Sequence, residues 1–324
     1  MAGKSKAEKR KNVSPQETYK CCSNINISEY IENNTLNFIT GSNTHSITQE
    51  SDCWVGIDEA GRGPVLGPMV YGIAYSPISN KADLKTMGFA DSKTLSEEQR
   101  DSMFNELNEN PEKIGWMVHV LSPHYLSTCM LRRTKYNLNE ISHDTAIGLI
   151  RSVLERGVRV KEVYLDTVGD PLKYQSKLKS VFPDLNITVA KKADSTYSIV
   201  SAASICAKVA RDKALQNWKF TEKVDTRNGF GCGYTSDPKT KDFLANNIDH
   251  VFGFSKIVRF SWSTASKLLD EKAAVVKWDD DEEAEGGKSK KRKVSSFFAS
   301  EGTAAKQHSH RFFTERKLDR CISL

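Results

Sequence analysis

The sequence predicts an α/β fold, a mixed sheet flanked by helices, and three observations carry that prediction. Short apolar runs of strand length come first, at 53–57, 69–75 and 116–121. A strand–helix–strand–helix alternation follows between 160 and 218. The helical stretches keep their apolar residues on one face, as elements laid against a sheet do.

Taken in chain order, a helix at 95–107 separates the second and third strands, with Ser96 placed to cap it. Residues 139–156 align Ile141, Ala146, Ile147, Leu149, Ile150 and Leu154 on one helical face. A buried strand at 160–165, a helix at 172–181 and a strand at 187–190 come next. The long helix predicted over 195–218 has a small inner face of Ala202, Ala203, Cys206, Val209 and Ala210, which permits close approach to a sheet. Around this domain, 51–271, lie a flexible N-terminal extension, 1–50, and a charged low-complexity linker, 272–308. A terminal segment at 309–324 gathers Phe312, Phe313, Leu318, Ile322 and Leu324, too many large apolar residues for a solvated tail.

The 324 residues are 38% hydrophobic and 27% charged. No run approaches the roughly 18 apolar residues of a spanning helix, which argues against a membrane protein. Met1-Ala2-Gly3-Lys4-Ser5-Lys6 is charged, with no apolar stretch behind it, unlike a secretory leader. Seven cysteines without a C-x-x-C spacing argue against a disulfide framework and a zinc site, and suit a reducing compartment. The net charge of +6 sits mainly in residues 1–20, which carry six basic and two acidic side chains. A phosphate-binding surface on the core must therefore arise from local clustering.

Four carboxylates stand in suggestive places. Asp58 and Glu59 close the first apolar strand, Asp166 closes a later one, and Asp194 lies between the strand at 187–190 and the long helix. In an open α/β sheet, strand ends and the loops beyond them form the binding crevice. Carboxylates gathered there repel one another unless a cation neutralises them. Oxygen ligands suit magnesium or manganese, and two such ions about 3.5–4 Å apart are the usual device for displacement at phosphorus. Singly, each acid also fits turn or cap chemistry; jointly, at three strand ends, they point to a metal site.

Behind Glu59, Ala60-Gly61-Arg62-Gly63-Pro64-Val65-Leu66-Gly67-Pro68 matches neither the dinucleotide nor the Walker pattern and leads into a strand. A tight turn would use such glycines. Fusion to the Asp-Glu pair favours a loop whose backbone approaches a sugar-phosphate, with Arg62 on a phosphate.

Together, Asp58-Glu59-Ala60-Gly61-Arg62-Gly63, Asp91-Ser92-Lys93, Leu165-Asp166-Thr167-Val168-Gly169-Asp170-Pro171, Lys192-Ala193-Asp194-Ser195 with the helix behind it, and Gly231-Cys232-Gly233-Tyr234-Thr235-Ser236-Asp237-Pro238-Lys239 resemble type 2 ribonuclease H over about residues 50–270. Cys232 and Thr235 depart from that family's pattern without touching Tyr234. The ending from Ser309 to Leu318 resembles that of the family's eukaryotic catalytic subunits. The resemblance implies a ribonuclease H-like mixed sheet with a helical C-terminal extension. It implies hydrolysis of the RNA strand of RNA–DNA hybrids and incision 5′ of single ribonucleotides in duplex DNA, leaving 5′-phosphate and 3′-hydroxyl. It implies Asp58, Glu59, Asp166 and Asp194 as catalytic metal ligands, Gly61, Arg62 and Gly63 as readers of the 2′-hydroxyl, and Tyr234 at the RNA–DNA junction. It also implies two accessory subunits in a heterotrimer, with roles in ribonucleotide removal and Okazaki primer processing.

Lys239 and Lys241, just past Tyr234, are placed to meet substrate. His119, His124, His143 and His250 read as structural; Lys208 and Arg211 on the long helix are candidates for phosphate contact, with solvated helix charge as the default reading. Lys290-Lys291-Arg292-Lys293 reads as a nuclear import signal, so the nucleus is the expected compartment. Two rival readings are an inactive hybrid-binding scaffold and a resolvase or transposase of similar fold; the complete acid set disfavours the first and the Gly-Arg-Gly loop the second.

Overall fold

The computed structural model describes residues 20–21, 34, 36–89, 95–134 and 136–274. Seven strands, β1 (Lys20–Cys21), β2 (Phe38–Gly41), β3 (Cys53–Ala60), β4 (Met69–Pro77), β5 (Gly115–Leu121), β6 (Val160–Asp166) and β7 (Asn186–Ala190), form one sheet in the order β1-β2-β5-β4-β3-β6-β7. β3 is the pivot: it pairs antiparallel with β4 and parallel with β6. The hairpin half continues antiparallel from β4 to β5 and β2, and the crossover half continues parallel from β6 to β7.

Helices fill the connections: α1 (Ser46–Glu50), α2 (Lys81–Thr86), α3 (Glu97–Glu109), α4 (Pro123–Leu131), α5 (Leu138–Glu155), α6 (Pro171–Val181), α7 (Ala193–Thr196), α8 (Ser198–Gln216), α9 (Pro238–Asn246) and α10 (Ser263–Lys272). Their starts follow from local chemistry. Ser96 and Gln99 form a reciprocal capping box on α3, and Asn137 and Glu140 do the same on α5. Asp170 caps α6, with Pro171 in its first turn.

Each sheet face carries its own core. α8 lies on the face of Trp54, Val70, Ala74, Trp116 and Val118, and α5 covers the face of Ile57, Ile73, Met117 and Leu165. Burial on both faces explains why β4 and β5 read as unbroken apolar runs. The approach of α8 depends on two glycines. A Cβ on Gly56 would stand 2.4 Å from the Ile199 carbonyl, and one on Gly72 2.3 Å from the Ala203 oxygen.

Three expectations change. β3 runs on through Asp58, Glu59 and Ala60, which keep pairing with Gly72, Tyr71 and Val70, so the acid pair lies inside the strand and does not end it. The helix expected over 195–218 is two, α7 and α8, broken at Tyr197, whose extended backbone (φ −117°, ψ 115°) places its ring against Tyr164. Phe38–Gly41, inside the segment read as a flexible extension, is a sheet strand with Ile39 and Thr40 buried; four residues are too few to show a period. α4 is hidden in the sequence for a related reason: its exposed stripe is only His124, Thr128 and Leu131, too short and too mixed to show a helical period. Asp91-Ser92-Lys93, the basic run at 290–293 and the segment 309–324 lie outside the described residues.

Candidate active site

Because Ile57 stands opposite Leu165, the next residue on each parallel strand brings Asp58 and Asp166 level on one face. That face is the one α8 covers. The amide of Ala193 donates to Asp166 Oδ1 at 3.1 Å, which ties the start of α7, and with it Asp194, to the end of β6. Asp194 is 1% exposed and Asp58 6%. Burial, reinforced by the charges of Asp166 and Asp194, pushes the Asp58 carboxyl up to about 7, against the Ser204 hydroxyl and the Glu59 amide.

Glu59 follows the pleat to the opposite face, towards Tyr71 and Arg62. Burial and the adjacent Asp58 push it up to about 8, with Arg62 pulling the other way. Among the described residues, no three carboxylate, imidazole or thiolate groups converge on one ion-sized point.

The glycine loop leaves β3 with Gly61 at φ +75°, where a Cβ would meet Arg211 Nε at 2.3 Å and the Pro68 oxygen at 2.7 Å. The Arg62 guanidinium docks on the start of α5, donating to Ser142 Oγ at 2.7 Å and to Asn139. It therefore sits on the Glu59 side. Gly63 turns the other way: a Cβ there would touch the Tyr234 ring at 3.4 Å. Tyr234 is 44% exposed.

The Tyr234 loop is braced from below. Asp237 accepts from the amides of Cys232 (2.7 Å) and Lys239 (3.0 Å), and the buried Thr240 hydroxyl accepts from Gly233 (3.0 Å). The Gly233 carbonyl accepts from the amides of Val65 (2.8 Å) and Leu66 (3.3 Å), stitching this loop to the glycine loop. Lys239 is exposed in the first turn of α9, and its amide is what joins the network.

The stretch of chain that builds most of this sheet, its acids on neighbouring strands and its glycine loop matches the family model of ribonuclease HII over residues 55–265. The chain belongs to that family. A ribonuclease H2 chain of Bos taurus, the one lettered A, is 48% identical over 296 residues, spanning 91% of this chain and 98% of the bovine protein. The Homo sapiens protein of the same name is 47% identical over 302 residues, spanning 93% and 100%. The crystal structure of ribonuclease H2 from Pyrococcus horikoshii OT3 superposes with TM-score 0.55 at 32% identity, covering 68% of this chain and 98% of that one. The enzyme is a ribonuclease H, and its fold is the ribonuclease H-like mixed sheet that the resemblance implies.

Three residues of this ribonuclease H are not visible to sequence reasoning. Arg211, read by default as solvated helix charge, is 8% exposed, packs under Gly61 and donates to the Cys232 carbonyl at 3.4 Å. Arg259 and Trp262 lie beneath the glycine loop and donate to its carbonyls. An arginine set among Ile257, Val258 and Phe260 is the available signal.

Proposed function

We propose that this ribonuclease H cuts the RNA strand of hybrids and incises 5′ of single ribonucleotides in duplex DNA, leaving 5′-phosphate and 3′-hydroxyl. The observation that carries this reading is the contact of exposed Gly63, a few residues along the chain from buried Asp58, with the exposed Tyr234. Distinguishing RNA from DNA means reading a 2′-hydroxyl, which needs backbone groups close to the sugar. Tyr234 offers a ring for stacking and a hydroxyl for bonding.

The donors Asp58, Asp166 and Asp194 suit magnesium or manganese in kind, although they do not converge on one ion-sized point: oxygen donors on one side of the sheet, two of them buried, with no imidazole or thiolate among them. Glu59 supplies a fourth carboxylate from across β3. The raised Asp58 and Glu59 carboxyls are consistent with this, since bound positive charge would replace the protons they hold near neutrality. When bound, two ions supply an activated water and offset charge developing on the phosphate. The chain's own residues keep the strand ends in register and hold the sugar against Gly63 and Tyr234.

Its relatives are named as one lettered member of a multi-chain ribonuclease H2, which supports a catalytic chain working with two accessory subunits. Residues 309–324 are the proposed anchor for them. Lys290–Lys293 would direct the chain to the nucleus, for ribonucleotide removal and Okazaki primer processing. The deciding experiment compares cleavage of a duplex with one ribonucleotide, a full hybrid and an all-DNA duplex, using the purified chain with and without the accessory chains. Equal cleavage of the all-DNA duplex would overturn the reading.

A further inference from the structure

We propose that Arg259, assisted by Trp262, is a positioning residue for ribonucleotide recognition: it fixes two peptide planes of the glycine loop so that the amides of Arg62 and Gly63 face substrate. This rests on the reading of that loop as the 2′-hydroxyl reader.

Arg259 is completely buried. Its Nε donates to the Gly67 carbonyl at 2.8 Å, and its two terminal nitrogens donate to the carbonyls of Arg62 (3.1 Å) and Gly61 (2.6 Å). The Trp262 ring stacks 4.7 Å from the guanidinium carbon, and its indole N–H donates to the Gly63 carbonyl at 2.9 Å. Backbone bonds pin this segment to the far end of the loop, from the Arg259 amide to Val65 (2.9 Å) and from the Gly67 amide to Ile257 (2.8 Å). One short stretch of chain thus holds the carbonyls of Gly61, Arg62, Gly63 and Gly67.

In a trans peptide the carbonyl and the following N–H point in opposite directions. No cis peptide occurs among the described residues. Drawing the Gly61 and Arg62 carbonyls towards Arg259 therefore turns the amides of Arg62 and Gly63 away from it. Among the described residues neither amide has a backbone acceptor. The next peptide ends in Pro64, which has no N–H, so the outward donors stop at two. Gly63 is exposed beside the Tyr234 ring, so a ribose resting on that ring meets the pair, and its 2′-hydroxyl can accept from them.

The choice of arginine follows from the geometry. A planar fork can serve three carbonyls at fixed angles, whereas a lysine donates from a single point. A residue needed only for packing would not have to be forked.

The test uses the full chain with Arg259→Lys and Trp262→Phe, which keeps the stacked ring but loses its N–H. Thermal unfolding, KM and kcat on a single-ribonucleotide duplex, and affinity for an all-DNA duplex of the same sequence are measured for each. The expected result is a roughly 10-fold rise in KM with kcat near wild type and all-DNA affinity unchanged, the size of one charge-assisted bond. A folded Arg259→Lys protein with wild-type KM overturns the proposal. If that variant does not fold, Trp262→Phe decides by the same criterion. Each variant is assayed with the proposed accessory chains present, and failure of the underlying reading looks different: the wild-type chain in that mixture would not cleave the single-ribonucleotide duplex at all.

Discussion

Asp58 and Glu59 are neighbours in the chain yet serve opposite faces of β3, and the register with β6 gives Asp58 its partner, Asp166. If these acids hold ions, Asp58→Asn or Asp166→Asn should abolish cleavage while leaving hybrid binding and the unfolding midpoint intact, because the amide keeps the shape and loses the charge. Undiminished magnesium-dependent turnover would remove the metal reading. Tyr234→Ala should hurt incision at a single ribonucleotide more than cleavage of a long hybrid, where other registers remain open; kcat/KM on the two substrates compares them. Gly61→Ala combines a left-handed backbone with contacts to Arg211 and Pro68, and should cost about 1–3 kcal/mol in denaturant unfolding. The four acids and the glycines stand out in the sequence because carboxylates directly behind apolar strand runs, and glycines clustered in one loop, are rare patterns. Arg259 is not, because an arginine among apolar residues looks the same whether it snorkels to water or grips a loop.

At the scale of elements, the contact of α8 with the sheet rests on absent side chains. Gly72→Ala should destabilise by about 1–3 kcal/mol, since its Cβ would meet backbone that cannot give way. Gly148→Ala, inside α5 and with open space around it, should stabilise by about 0.5–1 kcal/mol. Chemical denaturation of both variants checks the pair, and a similar effect from each would count against the packing argument. On β5, burial pushes the His119 imidazole down to about 4 from its ordinary value of 6.5. The folded state therefore keeps it neutral where the unfolded chain would protonate it. Its contribution is whole above about pH 6.5 and lost as pH falls towards 4, about 3 kcal/mol over that window. Stability measured from pH 7.5 to 4 should fall more steeply for the wild type than for His119→Gln.

Across the described residues, helices on both faces leave the neighbouring ends of β3 and β6 as the place where the acids Asp58, Glu59 and Asp166 collect. The terminal segment at 309–324 lies outside the described residues and is proposed from its sequence as a docking segment. Its deletion should weaken assembly with the proposed accessory chains without reducing the stability of residues 36–274. Co-expression followed by size exclusion measures this, and full recovery of a complex by the truncated chain would refute the anchor.

By itself, the sequence determined the sheet's strands from 53 onward and the two covering helices, because apolar periodicity and capping residues act over a few positions. It also determined the family, through motifs whose order and spacing are specific in combination. Tertiary structure alone decided which acids share a face, how far β3 extends past its apolar run, and that Arg62 turns to α5 while Gly63 meets Tyr234. It alone brought Arg259 beneath a loop almost two hundred residues earlier in the chain. Such contacts depend on strand register and long-range closure, and neither leaves a mark in the local order of residues.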